Sequence, residues 1–347
     1  MTDADQSSVL GIILAAGRST RMKTELPKVM HEVSGRPMLA HVIDACRAAG
    51  IRKLCVVVGY GKDMVVEYFG DDPEITWVDQ TEQKGTGHAV QMCANVLRQS
   101  SGDVVIIAGD MPLVRSDTLQ TLVRTHRERR AAVTLATAVL ENPAGYGRIL
   151  RDAAGRLRGI VEHRDCSPEQ LAIREVNPSY YCFRIADLLS VLFAIRNDNA
   201  KGEFYITDTL GLLIAAGRTA EAVTAVAAED AMGVNSRQEL ADINDIMRRR
   251  VLSRWMDSGV TIIDPATTWI DPRATIGGDT VVEPFTYIAG AAVIGRNCRI
   301  GPFACVAPDQ RLADWTTLAS NNGEFKHSAL TIHDSALRNP GGEPCRS

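Results

Sequence analysis

The chain has 347 residues, 45% hydrophobic and 23% charged, which at roughly 150 residues per domain suggests about two globular domains. Lys plus Arg is 38 against 42 Asp plus Glu, a net charge of −4 that argues against nucleic acid or an anionic membrane as the main partner. No apolar run nears the ~18 residues of a membrane span, no basic residue precedes the first apolar run, and the eight cysteines form no C-x-x-C pair; the expectation is a cytoplasmic protein with free thiols, not secreted or membrane-inserted.

Over the first 230 residues, short β-branched runs alternate with helical stretches. Val9–Ala15, Leu54–Val58, Ile75–Val78 and Val104–Ile107 are continuously apolar, the pattern of strands buried on both faces. Met38–Ala49 reads as a helix with Pro37 at its start and Gly50 beyond its end, and Lys62–Phe69, Gly87–Leu97 and Thr118–Arg130 supply further helices. That rhythm predicts βαβ units and an α/β fold with a mainly parallel sheet. A second group has strands at Val133–Val139, Arg156–His163 and Glu175–Phe183, with helices at Ile185–Ile195 and Tyr205–Ala216. Ser236–Met256 is one long charged helix with Ser236 placed to cap it and Gly259 beyond it, which reads as a connector over 236–258.

After that helix the period changes. Ile270, Ile276, Val282, Ile288, Ile294, Ile300, Val306, Leu312 and Leu318 recur every six residues, and small residues (Thr268, Ala274, Thr280, Thr286, Ala292, Cys298, Ala304) stand two before most of them. One inward aliphatic per six residues predicts a parallel β-helix with three-sided coils, three coils in all; a small antiparallel sheet would show a period of two. The repeat decays at Gln310, and 321–347, polar and rich in glycine and proline, is expected to be an irregular tail.

The densest chemical signal follows the first strand: Leu14-Ala15-Ala16-Gly17-Arg18-Ser19-Thr20-Arg21-Met22, then Leu26-Pro27-Lys28. Small residues let backbone N–H groups approach phosphate oxygens, and Arg18, Arg21, Lys23 and Lys28 are opposed only by Glu25. The loop matches neither G-x-x-x-x-G-K-[ST] nor G-x-G-x-x-G, so P-loop and dinucleotide readings fail, leaving a phosphate site or a solvated basic loop. Gly109-Asp110-Met111-Pro112 ends the strand Val104–Ile107 with a carboxylate at the ligand edge, suited to Mg²⁺ or merely capping a turn. In Gln80-Thr81-Glu82-Gln83-Lys84-Gly85-Thr86-Gly87-His88, two amides can pair with a base edge and the glycines allow close approach; an ordinary glycine-bearing turn is the alternative. His88 reads as packed at a helix start.

Leu14-Ala15-Ala16-Gly17-x-Ser19-Thr20-Arg21-Met22 with Leu26-Pro27-Lys28 resembles the signature of sugar-1-phosphate nucleotidyltransferases. Within that group the chain is similar to the bifunctional N-acetylglucosamine-1-phosphate uridyltransferase/glucosamine-1-phosphate acetyltransferase family, closely over about residues 9–255 and loosely into the β-helix. The resemblance implies a Rossmann-like nucleotidyltransferase domain with a mainly parallel mixed sheet over 1–235, and a truncated left-handed hexapeptide-repeat β-helix over 259–320. It implies that UTP and N-acetylglucosamine-1-phosphate give UDP-N-acetylglucosamine and pyrophosphate, with Arg21 and Lys28 catalytic and Mg²⁺ on Asp110 and on Asn235 of Gly233-Val234-Asn235. Leu14, Ala15, Ala16, Gly17 and Gly109 would be substrate-binding, and Gln80, Gln83, Gly85 and Thr86 would read uracil. Gly145-Tyr146-Gly147-Arg148, Ile160-Val161-Glu162-His163, Val176-Asn177 and Tyr205-Ile206-Thr207-Asp208 resemble the sugar-contacting segments, which gives Gly147, Glu162, Asn177, Tyr205 and Thr207 to the sugar phosphate.

Ala108 and Pro178-Ser179 depart from the family's usual Tyr and Thr-Gly, which leaves sugar selectivity open. Val306-Ala307-Pro308 stands where an arginine of the acetyl-transfer site is expected, and the chain stops before its histidine motif, so no acetyl transfer is expected. The β-helix implies a homotrimer. Transfer to another sugar-1-phosphate, or a non-catalytic nucleotide-sugar-binding scaffold, are the alternatives; the retained Arg21, Lys28, Asp110 and Asn235 speak against the scaffold.

Overall fold

A computed structural model describes residues 9–18, 21–199 and 201–319; Ser19, Thr20, Cys345 and the expected tail over 321–347 lie outside the described residues. The described chain divides into two compact units at Met247. In the first unit, β1 (Leu10–Leu14) is followed by a short hairpin, β2 (Glu32–Val33) and β3 (Arg36–Pro37), and by α1 (Met38–Ala48). Next come β4 (Leu54–Val58), α2 (Lys62–Phe69), β5 (Ile75–Asp79), α3 (Thr86–Met92), α4 (Ala94–Arg98), β6 (Asp103–Ala108) and α5 (Ser116–Glu128). The second group is β7 (Val133–Val139), β8 (Gly147–Arg151), β9 (Leu157–Val161), α6 (Pro168–Leu171), β10 (Glu175–Arg184), α7 (Ile185–Val191), α8 (Asp208–Ala215) and β11 (Ala220–Thr224). The long α9 (Arg237–Asp257) runs across the division.

The main sheet has the order β11-β7-β10-β6-β1-β4-β5, with the β8–β9 hairpin attached to the start of β10. β1 is parallel to β4 and β6, β4 to β5, and β7 to β11; β10 runs antiparallel between β6 and β7. This is the mixed, mainly parallel Rossmann-like sheet expected. Its continuous strands read correctly because helices cover both faces: Ile12, Val56, Val57, Val105 and Ile106 have no exposed surface, each such burial contributing about 1.5–3 kcal/mol.

Several elements differ from the expectation. The helix Gly87–Leu97 is broken at Cys93, whose N–H turns back to Val90 O at 3.0 Å while its Sγ packs 3.3 Å from that of Cys55 on β4. The helix expected from Tyr205 begins only at Asp208, because Phe204 O accepts from Gly87 N at 2.7 Å and Ile206 N donates to Thr86 Oγ1 at 3.1 Å. The helix expected to reach Ile195 ends at Val191. β8 and β11 were not expected as strands; β11 is a half-buried edge strand whose Ala and Glu residues carry little strand signal. Among the described residues no helix is long and apolar enough to cross a membrane, and the cysteines are free thiols.

The second unit carries the repeat. Ten two-residue strands run from β12 (Thr261–Ile262) through β13 (Trp269–Ile270), β14 (Thr275–Ile276), β15 (Val281–Val282), β16 (Tyr287–Ile288), β17 (Val293–Ile294), β18 (Arg299–Ile300), β19 (Cys305–Val306) and β20 (Arg311–Leu312) to β21 (Thr317–Leu318). They stack in parallel as three faces, β12-β15-β18-β21, β13-β16-β19 and β14-β17-β20, in the left-handed parallel β-helix that the hexads imply. Both parts of the hexad point inward: Val282, Ile288, Ile300 and Val306 are fully buried, as are Thr268, Thr280 and Ala292 two residues before an aliphatic. Sequence reading missed Ile262, which sits eight rather than six residues before Ile270 and so falls out of phase.

Candidate active site

The site forms where the carboxyl ends of β1, β4 and β6 come together, the edge at which open α/β sheets bind ligands. Leu14 lies opposite Ala108 in register, and Gly109 N donates to Leu14 O at 2.9 Å, so the small-residue loop and the Asp110 turn leave the sheet side by side. Ala15 N and Gln80 N bond Val57 O and Val58 O at 2.8 and 2.7 Å, bringing the Gln80 segment to the same edge. A cleft of about 400 Å³ opens there. Of the expected residues it is lined by Leu14, Ala15, Ala16, Gly17, Lys28, Gln80, Gln83, Gly85, Thr86, Asp110, Glu162, Tyr205 and Thr207. Both family departures, Ala108 and Ser179, line it too.

At one end Lys28 Nζ donates to Asp110 Oδ2 and, at 2.9 Å, to Asn235 Oδ1. Three local devices fix the backbone segments that carry those oxygens. Val234 N bonds Asp110 O at 3.1 Å, tying the two segments together. Ser236 Oγ caps α9 by accepting from Glu239 N at 3.2 Å, and Glu239 Oε2 accepts from Asn235 N at 2.7 Å, which fixes the asparagine backbone. Tyr146 Oη donates to Ala231 O at 3.0 Å, linking the residue before β8 to the 3₁₀ turn Ala228–Ala231 that leads into Gly233-Val234-Asn235. An acid and an amide oxygen that already share one cation fit a hard divalent ion, whose preferred donors are oxygens.

The two expected base-reading amides are engaged within the protein. Gln83 clamps the loop after β1, its Nε2 donating to Ala16 O at 2.7 Å and its Oε1 accepting from Arg18 N at 3.3 Å. The buried Gln80 donates through Nε2 to Gly85 O at 3.1 Å and bonds His88 Nδ1 at 3.0 Å, which gives the histidine the packed role expected of it. Gly85 has φ +105°, and a Cβ there would lie 2.5 Å from Phe204 O. The close approach that requires glycine is therefore made by the chain's own 203–205 segment.

The sugar-side residues are less uniform. Glu162 follows β9 at the cleft wall, within 3.4 Å of Thr207 Oγ1, and burial pushes its carboxyl above the usual glutamate range although Lys201 pulls the other way. Burial likewise pushes the Tyr205 phenol up to about 12. Gly147 begins β8, where a Cβ would meet Ile160 Cγ2 at 2.9 Å. Asn177 does not line the cleft: it is buried, donates from Nδ2 to Tyr181 Oη at 2.7 Å and accepts from Ser179 N at 3.1 Å. Arg21 lines an adjoining cavity of about 470 Å³ that shares Glu162, Lys201 and Tyr205 with the main cleft. Gly109 and Asn235 are not among the lining residues, although Asn235 Oδ1 bonds Lys28, which is.

Sequence reading missed Lys201, Tyr181, Arg148 and Glu239. Lys201 lines both cavities and lies 5.9 Å over the Tyr205 ring, but in sequence it is one polar residue of a turn. Arg148, almost wholly buried, bonds Tyr146 O and His163 Nδ1 and so holds the loops carrying Gly147 and Glu162; it stands in a motif read only for its glycine. Ser236 was read as the cap of the long helix, but Glu239 three residues on, which completes a capping pattern legible in the sequence, was not read.

Comparison with known proteins agrees with this architecture. The MobA-like NTP transferase domain matches residues 11–171, and the bacterial transferase hexapeptide (six repeats) matches 268–308. The bifunctional protein GlmU of Geobacillus sp. (strain WCH70) is 43% identical over 328 residues, covering 94% of this chain and 69% of its own. That of Pelotomaculum thermopropionicum is 44% identical over 334 residues, covering 87% and 73%. A solved UDP-glucose pyrophosphorylase complexed with UDP-glucose shares the fold, with a TM-score of 0.57 at 17% identity over 70% of this chain and 99% of that one. The chain spans about two thirds of the length of the curated relatives it matches. At that identity and coverage, the chain belongs to the family of the bifunctional protein GlmU.

Proposed function

We propose that this nucleotidyltransferase makes UDP-N-acetylglucosamine and pyrophosphate from UTP and N-acetylglucosamine-1-phosphate. The reading is carried by one observation: a cation, an acid and an amide meet beside a small-residue loop at the carboxyl edge of the sheet. The sugar phosphate is already a nucleophile, so no general base is needed. One of its oxygens attacks the α-phosphorus of UTP; the new P–O bond forms as the α–β P–O bond breaks, and the electron pair leaves with pyrophosphate. The protein must hold two polyanions in line and offset the charge on the phosphorus. The Ala15–Gly17 backbone would meet the triphosphate, Lys28 and Arg21 would neutralise it, and Glu162 and Thr207 would accept from or donate to sugar hydroxyls. Asp110 and Asn235 would hold Mg²⁺, which when bound supplies positive charge to the phosphates of both substrates.

Pyrophosphate release from the two substrates, with and without Mg²⁺, tests this. Arg21→Ala and Lys28→Ala should each slow the chemical step by orders of magnitude without unfolding the chain; near-normal turnover in either sinks the assignment. A panel of glucose-, galactosamine- and mannose-type 1-phosphates belongs in the same assay, since Ala108 and Ser179 both face the cleft. We also propose assembly as a trimer through the β-helix, on whose outside Phe285 and Phe303 stack 4.9 Å apart and remain 54% and 63% exposed.

A further inference from the structure

We propose that Lys28 is a gate as well as a phosphate ligand: in the substrate-free protein its ammonium holds the two oxygens meant for the divalent cation, so metal binds only together with nucleotide. The inference rests on the reading of Asp110 and Asn235 as metal ligands and adds an order of events to it.

The geometry is specific. Asp110 Oδ2 and Asn235 Oδ1 converge on the same Nζ, and the Lys28 side chain is only 13% exposed. The backbones that carry these oxygens are held by groups other than the lysine: Val234 N bonds Asp110 O, and Glu239 accepts from Asn235 N. Lys28 itself begins a short 3₁₀ turn anchored by the buried Val29 and Met30, so only its four-carbon stem needs to swing. Two cations cannot share these oxygens at contact distance, where their repulsion is large and little screened. A divalent ion arriving alone must therefore expel the ammonium from both of its oxygen partners at once. A triphosphate on the small-residue loop changes that balance, because Lys28 lines the same cleft and can move onto the phosphates. Nucleotide and metal then favour each other's binding by the same factor, as linkage requires.

The test measures Mn²⁺ alone binding to the whole chain without nucleotide, read from the electron paramagnetic resonance signal of the free ion. Lys28→Met should bind Mn²⁺ at least about tenfold more tightly than the unaltered protein, the loss of a unit charge at contact being worth that much or more. Lys28→Arg, which keeps the charge, should stay weak, and adding Asp110→Asn to Lys28→Met should abolish the gain. Circular dichroism confirms that each variant is folded, and Lys28→Gln serves if Lys28→Met is not. Equal Mn²⁺ affinity with and without the lysine charge overturns the gate, as does a gain that survives Asp110→Asn. Neither result depends on turnover, so the failure of the gate is distinguishable from the absence of nucleotidyl transfer.

Discussion

At the scale of single residues, Glu162 separates this cleft from an ordinary polar surface. It is a carboxylate held in a wall where burial favours its neutral form, with Lys201 and Thr207 opposing that. If it accepts from a sugar hydroxyl, the ionised form is the useful one, and binding should weaken on acidification sooner than for an exposed glutamate. KM for the sugar phosphate measured against pH should therefore rise on the acid side at a pH above the ordinary glutamate range, and Glu162→Gln should lose that limb. An identical acid limb in the variant would remove Glu162 from substrate binding. Stability follows the same shift. A carboxyl whose folded pKa is raised contributes stability that is present below its unfolded pKa and lost as pH rises through the folded one. Glu162→Gln, which keeps the neutral shape, should accordingly unfold at a higher temperature than the parent at neutral pH and lose that advantage in acid. What the sequence made legible here were residues whose chemistry and strand-end position coincide, such as Lys28 and Asp110. Lys201 and Tyr181 were not legible, because their place in the wall depends on how distant segments pack. Ser179 is a hybrid case: its departure from glycine was visible, but its φ of +70°, stabilised by Asn177 Oδ1, was not.

At the scale of elements, the parts that read correctly carry their own period or their own punctuation. β4, α2 and β7 match their sequence-derived limits because buried strands are continuously apolar and α2 lies between two glycines. The break at Cys93 and the late start of α8 were invisible because both are imposed from outside the element, by Cys55 and by Thr86 and Gly87. The start of α9 lies between these cases, and it matters for chemistry. Ser236→Ala removes an N-cap worth about 1 kcal/mol and also frees Glu239, whose carboxylate otherwise positions the Asn235 backbone. The variant should lose about that much stability to denaturant and, in addition, require more Mg²⁺ for half-maximal pyrophosphate release. Loss of stability with an unchanged metal requirement would make the cap purely structural and detach α9 from the site.

At the scale of the whole molecule, the two units are built on different physics. The first buries a mixed sheet under helices through contacts between residues far apart in sequence. The second is a solenoid, in which the coils stack on one another, the first also meeting Arg248 and Arg254 of α9, and the interior is one aliphatic and one small residue per six-residue repeat. All the proposed catalytic and substrate-binding side chains belong to the first unit. Ile288 belongs to the middle of the second, fully buried on β16 between β13 and β19. Ile288→Ala leaves a cavity that cannot collapse without disturbing the coils on either side, and should cost about 2–5 kcal/mol of the β-helix's stability. Calorimetry should then show the transition of the second unit moved to lower temperature while that of the first stays in place. At 25 °C, kcat/KM for pyrophosphate release should match the parent. A single cooperative transition displaced as a whole, with activity falling in step, would mean that the β-helix core supports the nucleotidyltransferase fold itself rather than a separate structure.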